Sequence, residues 1–243
     1  NPLVRMMEDG GRNRMEINDF LIAVGGELEP LKGWKTNVSY NHNIQSEKGA
    51  VNPKPVMVEL GNGAFGNIGK PTSSYQAIFS QPSYSLFNVV SAYEKTLNNH
   101  YFKVLAGFEQ EEKSFSNLNA TGTNLIINEV PSISTSLGEK TVDDRLWHWA
   151  TQGIFGRLNY NFKEKYLLEL SARYNGSSRF AQESRWGFFP SASAGYNISR
   201  ESFWKPIEPY VNMFKLRASY GSLGNQNDNN YLYLARLSAL PEL

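Results

Sequence analysis

Residues 156–180 read GRLNYNFKEKYLLELSARYNGSSRF. Leu158, Tyr160 and Phe162 alternate with Arg157, Asn159 and Asn161, and a period of two places apolar side chains on one side of a strand and polar ones on the other. After Lys163, Glu164 and Lys165 the pattern resumes, with Tyr166, Leu168, Leu170, Ala172 and Tyr174 set against Glu169, Ser171, Arg173 and Asn175. The apolar residues are even-numbered on both arms. Directly opposed residues of a hairpin therefore have an even index sum, which excludes a two-residue turn. A three-residue turn over 163–165 satisfies the constraint; it pairs Tyr160 with Leu168 and Asn159 with Glu169.

Residues 87–108 repeat the design with opposite parity: Phe87, Val89 and Tyr93 are odd, whereas Phe102, Val104, Ala106 and Phe108 are even. An even-length turn is now required. Asn98-Asn99 supplies it, and since Asn tolerates positive φ the pair is expected to form a type I′ turn. Alternation marks further strands at 17–28, 34–43, 188–198 and 214–220. The expected fold is all-β, an antiparallel meander of roughly eight strands with no long helix.

The connections alternate in length. Those at 30–33, 98–99 and 163–165 are short, while those at 44–82 and 114–145 are long and rich in Gly, Ser, Asn and Thr. Outer-membrane barrels have short periplasmic turns and long outer loops, whereas a soluble sandwich has no reason to gather its long loops at one end. The connection at 200–212 is longer than that rule prefers.

Composition agrees with this architecture. Of the 243 residues, 13% are aromatic and none is Cys, so a disulfide scaffold and thiolate metal sites are excluded. Lys and Arg number 24 against 23 Asp and Glu, and no basic face for nucleic acid is implied. No apolar run reaches the ~18 residues of a spanning helix, but spanning strands never need one. The chain opens at Asn1 with no initiator Met, basic n-region or apolar h-region, so any export signal is expected to have been removed or to lie upstream, and the chain reads as an internal fragment.

Aromatics fall near the expected strand ends: Trp34, Tyr40, Tyr160, Phe162, Tyr166, Tyr174, Phe188, Tyr196 and Tyr220. In a barrel they form the interfacial girdles, and in a soluble protein they fill a core. On the opposite face Lys103, Arg157, Arg173, Lys215 and Arg217 suit a wet lumen.

Three blocks carry a family resemblance: Asn175-Gly176-Ser177-Ser178-Arg179-Phe180; Arg185-Trp186-Gly187 with Phe189-Pro190-Ser191; and Lys215-Leu216-Arg217-Ala218-Ser219-Tyr220-Gly221 followed by Gly224-Asn225-Gln226. In this order they closely resemble the SusC/RagA family of TonB-dependent outer-membrane transporters. Residues 89–110 resemble the same family. The resemblance implies part of a transmembrane barrel of about 22 strands with an N-terminal plug. It also implies the bacterial outer membrane as location, energy from the TonB complex, a SusD-like surface lipoprotein as partner, and oligosaccharides or peptides as substrates. Residues 1–243 are then a partial barrel domain, with the plug, the TonB-contacting segment and the remaining strands outside the chain.

His42, His100 and His148 have no second ligand at metal spacing, and neither Asp143-Asp144 nor Glu111-Glu112 has an oriented nucleophile beside it. No metal, cofactor or catalysis is expected. The candidate substrate-binding residues are Arg173, Asn175 and Arg179, approaching the outer rim of one strand, and Arg217 and Asn225, pointing inward from another. The structural alternative is a charge network that stabilises the wall, with Arg157 satisfying Glu169 diagonally across its hairpin. For the whole protein the leading expectation is TonB-dependent uptake; the alternatives are a passive porin and a soluble β-sandwich carbohydrate-binding or adhesin module.

Overall fold

The computed structural model describes residues 2–59, 61, 63–226 and 231. The strands are β1 (Gly11–Leu31), β2 (Trp34–Pro53), β3 (Met57–Glu59), β4 (Phe65–Asn67), β5 (Ser74–Leu97), β6 (His100–Thr123), β7 (Lys140–Phe162), β8 (Tyr166–Ser177), β9 (Trp186–Asn197) and β10 (Lys215–Gly221). Eight of them form one sheet in the order β1-β2-β5-β6-β7-β8-β9-β10, and β3 pairs with β4 alone. Each ladder strand neighbours the next one in sequence, as a meander requires. Among the described residues β1 and β10 are the two outer strands of the sheet, which does not close on itself.

The register follows the parity argument. Tyr160 faces Leu168, Asn159 faces Glu169, and the ladder ends at Phe162 opposite Tyr166, leaving a three-residue turn. Lys163 and Glu164 there adopt φ of 54° and 57°. The β5–β6 turn has the two residues expected, but of the pair only Asn98 is left-handed, at φ 53°. A type I′ turn needs two such residues, so that part of the expectation is corrected. At Lys32-Gly33 the chain turns in two residues, with Gly33 at φ 85°; a Cβ there would strike the Glu94 carbonyl.

The chain forms two compact units. One comprises Asn1–Leu21, Asn43–Tyr84 and Lys113–His148. Among its described residues the buried apolar side chains are Val56, Val58 and Leu125. Ser73 ties the loops that carry them, since its carbonyl accepts from the Asn124 amide at 2.8 Å and its hydroxyl from the Leu125 amide at 2.9 Å. Asn67 shapes the β3–β4 hairpin by accepting from the amides of Val56 (3.1 Å) and Gly69 (2.9 Å).

The other unit comprises Ile22–His42, Ser85–Glu112 and Trp149–Leu243. Its described residues include no buried apolar side chain. The apolar face is instead turned outward: Val104, Leu168 and Leu170 are 50%, 39% and 42% exposed, Ala106 is exposed and Leu158 is half-buried. A band of this kind is rare on soluble monomers. Among the described residues of this unit no second sheet covers it, as the core of a sandwich would require. Pairs of aromatic rings border the band. At the short-turn end Phe102 meets Tyr160 at 5.0 Å and Tyr166 meets Tyr196 at 5.1 Å, while farther along β8 Tyr174 stacks on Trp186 at 5.0 Å. From Tyr166 to Tyr174 is about 26 Å along the strand at ~3.3 Å per residue, or about 20 Å along the normal at a ~40° tilt. That is close to the ~25 Å apolar band of a spanning barrel.

The β9–β10 connection is folded. Two short 3-10 turns, Ile198–Arg200 and Ser202–Trp204, place Trp204 on Phe214 at 5.4 Å. Glu201 clamps this connection by accepting from Lys165 at 2.6 Å, Tyr166 at 3.2 Å and Tyr196 at 3.3 Å. The Lys165 ammonium holds the Glu201 carboxyl below the usual carboxylate range.

A helix, α1 (Pro2–Asp9), precedes β1 and carries an Arg5–Asp9 ion pair of 3.1 Å; at eight residues it is no long helix, and Pro at its start and Gly10-Gly11 after its end mark its boundaries. One expectation needs correction: the long connections are shorter than the alternation suggested, spanning residues 54–73 and 124–139, because β2, β5, β6 and β7 continue well past the alternating stretches. Each runs 20 to 24 residues, about twice the ~9–11 needed to span a bilayer. Where a strand leaves hydrocarbon its outer face need not be apolar, and the sequence there resembles loop.

Candidate functional site

The odd-numbered side chains of β6 to β10 share the polar face of the second unit. Around Arg173 they form a closed network: its Nε donates to Asn175 Oδ1 at 2.8 Å, a terminal amine pairs with Glu109, and the guanidinium lies 5.3 Å over the Phe155 ring. Phe155 fits there because residue 107 is Gly, where a Cβ would strike the ring. Two rows along the same face, Asn159 Nδ2 donates to Glu169 Oε2 at 2.7 Å. Glu169 is therefore satisfied by Asn159, not by Arg157 as expected from the diagonal. Arg157 has no carboxylate partner among the described residues.

This face is concave. A hollow of about 1020 Å³ is lined by Arg157, Arg173, Asn175, Phe189, Arg217 and Asn225 among others. A second, of about 460 Å³, shares Arg157, Glu169 and Arg217 with it and adds Asn159 and Lys215. Four of the five residues singled out by sequence, Arg173, Asn175, Arg217 and Asn225, therefore line one surface.

Arg179 does not join them. Its guanidinium stacks 4.0 Å from the centroid of Trp149, its NH1 stands 3.5 Å from Gln226 Oε1, and its Nε is buried without a partner. β8 ends at Ser177, so strand alternation no longer governs where residue 179 points. The block around it is a latch. Ser178 donates its amide to the Ala150 carbonyl at 2.9 Å and accepts the Ala150 amide on its hydroxyl at 2.9 Å, while the Ser177 amide donates to the Arg185 carbonyl at 3.0 Å. Glu109 has the odd parity of Lys103 in its strand, but no local pattern joins it to Arg173, since the contact reaches across β7. Phe155 and Phe189 also escaped notice; both are odd-numbered within their strands, and that parity was the available signal.

Comparison with known proteins agrees with the architecture. A family model described as TonB dependent receptor-like, beta-barrel, matches residues 8–239. A TonB-dependent receptor of Formosa agariphila is 30% identical over 97% of this chain and 22% of its own length. The TonB-dependent receptor SusC of Bacteroides thetaiotaomicron is 32% identical over 64% of this chain and 15% of its own. The chain thus spans about a fifth of the length of the curated relatives it matches. Among solved structures, the RagAB peptide importer in its open-open state superposes with a TM-score of 0.78 over 93% of this chain and 24% of that chain, at 17% identity. A two-faced meander with aromatic borders, matched over nearly its whole length by one barrel model, places this chain in the TonB-dependent receptor-like β-barrel family of the outer membrane.

Proposed function

We propose that this chain is a stretch of barrel wall in a longer outer-membrane transporter, which imports large solutes such as oligosaccharides or peptides with energy delivered through TonB. The observation that carries the reading is the division of one sheet into an exposed apolar face and a concave polar one. Hydrocarbon accepts the first, and a water-filled interior accepts the second. The wall carries solvated polar groups where a solute passes, and the transporter acts without chemical conversion of its cargo. A SusD-like surface lipoprotein is the partner in this reading, supported by the similarity to SusC and to the RagAB structure. Uptake of a labelled oligosaccharide and a labelled peptide by cells making the full-length protein, with and without TonB, tests it. Uptake that vanishes without TonB is the expected result; uptake that persists would make the protein a passive pore.

A further inference from the structure

We propose that the hollow on the polar face is a subsite for a carboxylate carried by the solute, with Arg157 and Arg217 as its cationic flanks; the inference rests on the transport reading. Its floor is made of serines. Arg157 faces Ser171 across β7–β8, Ser171 faces Ser191 across β8–β9, and Ser193 faces Ser219 across β9–β10. Four small hydroxyl-bearing side chains on adjacent strands leave the wall recessed, and two of them, Ser171 and Ser191, stand 2.6 Å apart; one proton makes that hydrogen bond, and the other is left to turn to a ligand. Arg217, opposite Gly195, leans over this floor with NH2 3.5 Å from the Ser193 hydroxyl.

Charge balance separates these two arginines from Arg173 and Lys103. Arg173 is committed to Glu109 and Asn175, and Lys103 to Glu94 at 3.2 Å. Arg157 and Arg217 are exposed, line both hollows, and face no carboxylate of their own among the described residues. Glu169, the acid between them, is held by Asn159. A planar guanidinium recognises a carboxylate with two parallel hydrogen bonds, and hydroxyl donors complete its shell. Phe189, on the same lining, offers a flat apolar surface to the body of the solute. Such a carboxylate comes from a uronic acid of an acidic glycan or from the terminus or side chain of a peptide.

The experiment uses the full-length protein in detergent and four probes: trigalacturonate and its methyl ester, Ala-Ala-Ala and its C-terminal amide. Affinity is read by calorimetry and the melting temperature by intrinsic fluorescence. At least one acid is expected to bind about tenfold more tightly than its neutral counterpart, and the pair that responds identifies the source. In the Arg157→Gln/Arg217→Gln variant that preference disappears while the unliganded melting temperature does not fall. Arg217→Lys, which keeps the charge and loses the planar fork, gives an intermediate preference. Equal binding of acid and neutral probes, or no binding of either acid, overturns the subsite. A lower unliganded melting temperature in the double variant also overturns it, because the cations would then be paired within the protein. TonB-dependent uptake that continues without an acid preference removes the subsite alone and leaves the transport reading standing.

Discussion

Leu170 and Ser171 are consecutive in β8 and belong to different solvents. Leu170 lies between Leu158 of β7 and Ala192 of β9 with its side chain 42% exposed on the apolar face, while Ser171 lies between Arg157 and Ser191 with its hydroxyl on Ser191. Leu170 is four residues from Tyr166 and four from Tyr174, the rings that border the band, so it sits close to the bilayer midplane. Placing a guanidinium there exchanges hydrocarbon contact for a charge that lipid cannot solvate. Leu170→Arg is expected to cost about 2–4 kcal/mol of folding free energy in phospholipid vesicles, read by denaturant titration of the full-length protein. Ser171→Arg, on the wet face, is expected to cost much less. Equal costs would mean that the two faces do not differ in solvent. Residues of this kind were the most legible in the sequence, because alternation reports directly what each face touches.

The hairpin is the scale at which that alternation becomes geometry. Even-numbered apolar residues on both arms of 156–180 required an odd turn, and the structure has three residues between Phe162 and Tyr166. Deleting Glu164 leaves a two-residue turn, which either breaks the ladder or turns Leu168 and Leu170 to the lumen and Glu169 and Arg173 to the lipid. The deletion is expected to abolish assembly, seen as loss of the heat-modifiable band of a folded barrel on electrophoresis; inserting two glycines beside Glu164 keeps parity and is expected to preserve it. An intact band after deletion would contradict the register. Element ends were less legible for a physical reason. In residues 44–53 of β2, Ile44, Ser46, Lys48 and Ala50 share a face with no common polarity, because backbone pairing alone sustains a strand there. Alternation reveals where a strand meets hydrocarbon and is silent where it does not. Arg179 lies outside the hollow at the same kind of boundary, two residues past the last residue of β8. The Arg173–Glu109 pair lay out of reach of any local pattern, since it joins residues 64 apart.

For the molecule as a whole, everything rests on one sheet separating lipid from water. The chain itself supplies a clean probe, since none of its 243 residues is Cys. Single cysteines placed at each position from 167 to 175 of the full-length protein, on a background free of other accessible cysteines, can be spin-labelled and reconstituted into vesicles. Collision with oxygen, which partitions into hydrocarbon, and with a water-soluble nickel chelate then reports the solvent at each residue. Labels at 168, 170, 172 and 174 are predicted to favour oxygen and those at 167, 169, 171, 173 and 175 the chelate, in strict alternation. Equal access of the chelate to both series, or exclusion of both reagents from the even series, would contradict the account.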